Sequence, residues 1–361
     1  MIGAGKIACF RCGEVSSETY YYAPEGKLVL RAVKSEFGCY KIYDINENAE
    51  VELVRRPVTK NGLLVKAKIR VKYSENNVKT YLIGPENRIC KHCYDSEKKI
   101  QFVSSTMGFE DTYIVGVLGR PNAGKTALID SSTRAITVDE GTHMYLDNKT
   151  AEEIVRYAVT PLGGRKNLVR EMKINDKKGN ACVRLLVNDT PGEYLTLKKE
   201  DRGDDHTYFA NYVDLCDGFI YVVESGDCNT QNLNWMDFLP KGAPVAIVMS
   251  KLDKLEAETE KNDGVYLHGE TPIMTSAYFK KRKKSQKPNV SEMVENQLVD
   301  KYILRTLCPA LHRIDSNREN VAYFAVSAGS PVETDAKVLD LSKGYNVYAP
   351  VVFMAKYWGI R

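Results

Sequence analysis

Gly119-Arg120-Pro121-Asn122-Ala123-Gly124-Lys125-Thr126 matches GxxxxGK[ST] in full. An apolar run at 113–118 precedes it, and a helical pattern opens at Lys125 and runs to 134. Strand, glycine-bounded loop and helix in this order form a phosphate cradle. The loop's N–H groups converge, and the helix N-terminus adds positive potential. Gly119, Asn122, Ala123, Gly124, Lys125, Thr126 and Ala127 are the expected phosphate-binding set. Lys125 is expected to reach the β- and γ-phosphates, and the Thr126 hydroxyl to bind Mg²⁺.

On the C-terminal side, apolar runs at 181–187, 218–223, 244–249 and 321–326 read as buried parallel strands. Helical patterns fall at 200–215, 232–239, 291–311 and 347–358. This alternation predicts an α/β fold with a parallel sheet covered on both faces. The runs 168–174 and 181–187 flank a polar turn and read as an antiparallel edge hairpin. The polar stretch 255–289, with the basic run Lys280–Lys284, reads as a solvated loop, with an acidic or phosphate-rich partner as the sharper alternative.

Three further segments stand at strand ends. Asp189-Thr190-Pro191-Gly192 follows the run 181–187, where Asp189 is expected to hold Mg²⁺ and the Gly192 N–H to meet a γ-phosphate. Ser250-Lys251-Leu252-Asp253 follows 244–249. A carboxylate such as Asp253 can accept from the N1–H and exocyclic amine of guanine, a donor pair adenine lacks. Lys251 can lay its apolar stem over the base. Ser327-Ala328-Gly329 follows the last strand and can offer backbone N–H groups to the guanine O6.

GRPNAGKT, DTPG, SKLD and SAG, in this order, resemble the nucleotide motifs of Ras-like, translation-factor-class GTPases. The resemblance covers about 111–361 and implies a Ras-like three-layer G domain that binds GTP or GDP with Mg²⁺ and switches on hydrolysis. Ser250 stands where Asn is usual, and Gly329 where Lys is usual. The layout is also similar to double-GTPase-like proteins of bacterial conflict and defence systems, which often carry an N-terminal zinc ribbon, a DxxGE segment and a closing helix with Pro and Trp. Asp189 through Glu193, and Pro350 with Trp358, fit that pattern. Thr160 is the expected switch threonine, with Thr142 and Thr137 as alternatives. Glu193 occupies the place where Gln commonly orients the attacking water, which predicts slow unassisted turnover and an activating partner. Arg120 and Arg202 are in-chain arginine candidates, with ordinary surface charge as the other reading.

Residues 1–110 read differently. Short β-like runs at 27–33, 51–55, 63–73 and 79–83 are separated by turn residues, and no strong helix pattern is present. Cys9-Phe10-Arg11-Cys12 and Cys90-Lys91-His92-Cys93 form two CxxC knuckles, the donor set of a tetrahedral Zn²⁺ site. Residues 13–89 lie between them, so a β-rich insert must fold out before the knuckles meet. The chain is thus expected to divide into a zinc-ribbon domain, 1–110, and a G domain, 111–361.

Composition bounds the rest. Of 361 residues, 27% are charged and 43% hydrophobic, which excludes wholesale disorder and fits a soluble globular chain. Nine cysteines without an export-like start predict a reducing cytoplasm, and no segment is apolar and long enough to span a membrane. With 51 basic and 47 acidic residues, the net charge of +4 is too small to argue by itself for nucleic-acid binding. A nucleotide-regulated nucleic-acid-binding protein and a pseudo-GTPase scaffold remain the alternatives to a GTP-hydrolysing switch with a protein effector.

Overall fold

In the computed structural model the described residues are 1–34, 39–47, 49–105, 107–120, 123–134, 145–146, 168–175, 181–189, 211–224, 239–262, 274, 277–280, 290–308, 311, 318–328, 330–332, 335–340 and 345–359. They cluster into two compact units. Met1–Tyr113 and 211–215 form one, and the remainder from Ile114 onward forms the other.

The first unit is β-rich. Two short strands, β1 (Ile7–Ala8) and β2 (Val15–Ser16), pair around the first cysteine knuckle. Then follow β3 (Tyr20–Ala23), β4 (Leu28–Lys34), β5 (Tyr40–Asp44), β6 (Ala49–Leu53), β7 (Val58–Lys60), β8 (Leu63–Ser74), β9 (Asn77–Ile83) and β10 (Arg88–Ile89). They form an antiparallel sheet in the order β10-β3-β4-β5-β6-β8-β7, with β9 on the other side of β8. Its strands alternate: Leu30, Ile42, Val51, Ala67, Ile69, Tyr81 and Ile83 fill one core, while their neighbours face outward. Arg88 is fully buried, donating to the carbonyls of Met107 (2.8 Å) and Leu64 (3.3 Å) with its guanidinium over the Phe109 ring.

A helix, α1 (Lys91–Glu97), stands where no helical pattern was legible. It has seven residues, too few for a periodicity to register. Its start is fixed by the Cys90 sulfur, which accepts from the Cys93 N–H at 3.5 Å. Tyr94 on α1 packs with Tyr20, Val29 and Ile89 on the outer side of the sheet.

The second unit is built on a seven-stranded sheet. Its elements are β11 (Asp111–Gly119, from Ile114 onward), α2 (Lys125–Arg134), β12 (Tyr145–Leu146), β13 (Leu168–Asn175), β14 (Ala181–Asp189), β15 (Gly218–Glu224), β16 (Val245–Ser250), α3 (Leu252–Asn262), α4 (Val290–Leu307), β17 (Val321–Ala325), β18 (Ser330–Val332), β19 (Asp335–Asp340) and α5 (Ala349–Tyr357). The strand order is β12-β13-β14-β11-β15-β16-β17. β11, β15, β16 and β17 run parallel and are buried almost throughout, as their unbroken apolar runs require. β13 and β14 form the expected antiparallel hairpin.

Two expectations change here. The stretch after Leu255 is not loop from its start, because α3 continues to Asn262. Leu252, Leu255 and Thr259 bury one narrow stripe while the charged residues around it hide the periodicity. The helix expected over 291–311 ends at Leu307, where Cys308 breaks off buried. The helix expected over 232–239 falls almost wholly outside the described residues, as do Lys281 to Lys284. No described helix is long and apolar enough to cross a membrane.

Candidate functional site

The carboxyl ends of β11, β16 and β17 bring three of the motifs together. Gly119 closes β11 at φ 151°, and a Cβ there would lie 2.5 Å from the Val222 carbonyl oxygen of β15, so a side chain is excluded. Gly124 adopts φ 85°, turning the chain into α2. Between them the Lys125 ammonium folds back over the loop, donating to the carbonyls of Gly119 (3.1 Å) and Arg120 (3.0 Å) at 7% exposure. It thus stands in the cradle, where incoming phosphate oxygens would replace those carbonyls. Ala123 is buried, and Thr126 and Ala127 open the helix, Thr126 exposed.

Ser250, read from sequence as a weakened base contact, does something else. Its hydroxyl donates to the Ala123 carbonyl at 2.6 Å and lies 3.2 Å from that of Val223. It therefore ties the phosphate loop to β15 and β16. The next residue, Lys251, is held at φ 58°, a left-handed conformation costly for a residue with a Cβ and typical of functional sites. Its stem passes beside Gly124, and its ammonium pairs with Glu224 at 2.7 Å. Burial raises the Glu224 carboxyl, but hydrogen bonds from Lys251 and Lys254 outweigh it and hold the group below the usual carboxylate range.

Asp253 and Ser327 meet directly. The Ser327 hydroxyl donates to an Asp253 carboxylate oxygen at 3.0 Å. The Leu252 N–H donates to the Val326 carbonyl at 3.3 Å. Ser327 exchanges two backbone hydrogen bonds with Tyr345, Asn346 donates to the Ala325 carbonyl, and the Ser131 hydroxyl of α2 donates to that of Ala328. Glu224, Ser131 and Tyr345 were not singled out from sequence, since none belongs to a short motif and only their place beside a strand end gives them a role. Asp189 ends β14. Pro121, Asn122, Thr137, Thr142, Thr160, Gly192, Glu193, Arg202 and Gly329 lie outside the described residues.

Residues 114–251 match the family profile described as "50S ribosome-binding GTPase". The chain contains a P-loop GTPase domain. No curated protein sequence matches the chain. Solved structures similar to it include the FeoB G domain of Methanococcus jannaschii (19% identity over 41% of this chain and 73% of that one, TM-score 0.25) and that of T. maritima (20%, 42% and 81%, TM-score 0.24). A third is the elongation factor SelB of Methanococcus maripaludis, solved with the GTP analogue GppNHp (14%, 61% and 30%, TM-score 0.27).

In the first unit the two knuckles converge. Cys9, Cys12, Cys90 and Cys93 place their sulfurs within 4.8 Å of one another. Cys9 and Cys93 are 3.8 Å apart, and Cys12 and Cys90 are 3.6 Å apart. Disulfides need about 2.05 Å. A tetrahedron of Zn–S bonds of about 2.3 Å has edges of about 3.8 Å, so the spacing fits a Cys₄ metal centre. The crowded thiols compete for protons. Hydrogen bonding with Cys12 drives the Cys9 thiol far up, and the same contact drives Cys12 down. His92 is on the exposed side of α1 and does not join the four sulfurs.

Ser250→Ala removes the tie to the Ala123 carbonyl and leaves that acceptor buried. Nucleotide affinity should fall about tenfold, equivalent to about 1.4 kcal/mol, while Ser250→Thr should retain it. Isothermal titration of both variants with GDP checks this. Unchanged affinity in Ser250→Ala would mean that the loop holds its shape without the hydroxyl.

Proposed function

We propose that the chain is a GTP-binding, slowly GTP-hydrolysing switch of the cytoplasm, with residues 111–361 as a Ras-like G domain and residues 1–110 as a zinc-ribbon module that recognises a partner. The observation that carries this reading is the convergence of the Lys125 cradle and the Asp253–Ser327 pair at the carboxyl ends of one parallel sheet. Lys125 neutralises the phosphates, with Gly119, Asn122, Ala123, Gly124, Thr126 and Ala127 lining the loop. Asp253 selects guanine, steadied by Ser327, while Lys251 covers one face of the base and Ala328 meets its O6. Thr126 and Asp189 hold Mg²⁺, which when bound draws charge from the β- and γ-phosphates. Thr160, Gly192 and Glu193 report the nucleotide state.

The four-thiol cluster supports a structural Zn²⁺ held by Cys9, Cys12, Cys90 and Cys93. Residues 211–215 support a link between the two activities. In sequence they lie between Asp189 and β15, yet they pack on the first knuckle. Asn211 donates to the Arg11 carbonyl at 3.1 Å, and Tyr212 meets the Phe10 ring edge-on. The resemblance to conflict-system proteins makes bacterial defence the proposed setting, with a protein effector or activator as partner.

Three measurements test this reading. Asp253→Asn should move preference from GTP toward xanthosine triphosphate, whose 2-oxo group accepts where guanine donates; equal affinity of the parent for ATP and GTP sinks the assignment. Glu193→Gln should raise single-turnover hydrolysis about tenfold, or about 1.4 kcal/mol of barrier, because a carboxylate opposes the charge developing on the γ-phosphate. A markedly slower Gln variant would make Glu193 the water anchor instead.

The third measurement is metal analysis, which should find about one Zn²⁺ per chain. Cys90→Ser should unfold the first unit and spare GTP binding, since a structural zinc contributes on the order of 10 kcal/mol to folding. A folded, metal-free first unit would remove zinc from the scheme.

A further inference from the structure

The outer face of β8 carries Lys66, Lys68, Arg70 and Lys72, all exposed, at every second position of one strand. A strand rises about 3.3–3.4 Å per residue, so these cations repeat about every 6.7 Å along a line of about 20 Å. Their cross-strand neighbours extend the face. Lys68 lies opposite Leu82, Arg70 opposite Thr80 and Lys72 opposite Val78 on β9. On the other side, Arg70 lies opposite Glu52 of β6, and Lys66 opposite Val58 of β7. Glu52 pairs with Arg70 at 2.7 Å, and the next carboxylate along the face, Glu50, is taken by Lys41 at 2.8 Å. Among the described residues no carboxylate pairs with Lys66, Lys68 or Lys72. Leu82 and Val78 beside them are 56% and 47% exposed.

We infer that this face binds the phosphate backbone of single-stranded nucleic acid, independently of sequence. The inference is separate from the GTPase reading. Charge complementarity carries it, because a straight row of evenly spaced cations, of which only Arg70 has a paired carboxylate among the described residues, suits a linear polyanion. The position of the row favours nucleic acid over an acidic protein segment. β8 has hydrogen-bonded partners on both sides, so its backbone offers little to an incoming chain, and extended peptides instead add to sheet edges. What the face presents is side-chain ends alone, the groups that grip phosphate oxygens. The tyrosines of the hairpin do not form a base-stacking platform here. Tyr73 is bonded to Tyr81 at 2.7 Å, and Tyr81 belongs to the core. Recognition therefore rests on the backbone, with Leu82 and Val78 offering apolar surface to the sugars.

The test is fluorescence anisotropy of the full chain with labelled oligouridylate and oligothymidylate across a sodium chloride series. Four phosphate contacts predict a slope of log K against log salt of about −2.8, at about −0.7 per contact for single strands. The Lys66→Gln, Lys68→Gln, Lys72→Gln triple variant should flatten the slope to about −0.7 and weaken binding at low salt. These exposed positions leave the core untouched, and unchanged circular dichroism verifies the fold. Neutralising Lys280–Lys284 should leave the slope as it is. No binding, or binding lost with that basic run and kept by the triple variant, overturns the assignment. So does tighter binding, through the same three lysines, to polyglutamate or to phosphatidylserine vesicles than to the oligonucleotides.

Discussion

A loop that turns its N–H groups toward a ligand cannot satisfy its own polar groups through helix or sheet, so it must be held in shape from outside. Here the holding is done by carbonyls and hydroxyls of neighbouring strands. Lys125 bridges two loop carbonyls, Ser250 binds a third, and Gly119 lets β15 approach to a distance that any side chain would block. The parallel sheet makes this possible because it delivers three of the motifs at the same end. The segment after β16 is fixed in turn by the loop after β17, through the Ser327–Asp253 hydrogen bond and the Leu252–Val326 backbone bond. The phosphate loop and the segment after β16 thus share supports, with Ser250 at the end of β16 bonded to the Ala123 carbonyl.

The first unit faces a different constraint. Its knuckles are separated by residues 13–89, and closing so long a loop costs conformational entropy that grows slowly with length. The sheet meets part of that cost by bringing β10, which leads into Cys90, beside β3, which follows the first knuckle. A buried core of its own, from Leu30 to Ile83, then holds the insert. Four thiols within 4.8 Å gain little from one another, so without a cation to bind them the cluster would be a weak point in an otherwise well-packed unit.

The route of the chain gives the two units a covalent relation that motifs do not reveal. Residues 211–215 belong to the first unit and pack against its Cys9–Cys12 knuckle, although in sequence they stand just before Cys216 and β15 of the second. Gly13, at φ 74°, sits against Asn211, where a Cβ would come within 3.4 Å of it.

What could be read from the sequence follows from how local each signal is. The cradle is eight consecutive residues with a strand before and a helix after, and buried parallel strands announce themselves as unbroken apolar runs. The convergence of the CxxC knuckles was legible because two such pairs make up the donor set of a tetrahedral metal site. The bond from Ser250 to Ala123 was not legible, because a motif letter does not record which neighbouring loop a hydroxyl reaches. α1 and α3 were missed for opposite reasons, one too short to show a period and the other showing it in only three buried positions. The net charge of +4 says nothing of any one face, as a sum over the chain discards position. The run LLVKAKIRVKY shows its alternation plainly. What it does not show is that Glu52 reaches Arg70 while no carboxylate among the described residues reaches the three lysines around it, because cross-strand register is set by partners outside the segment.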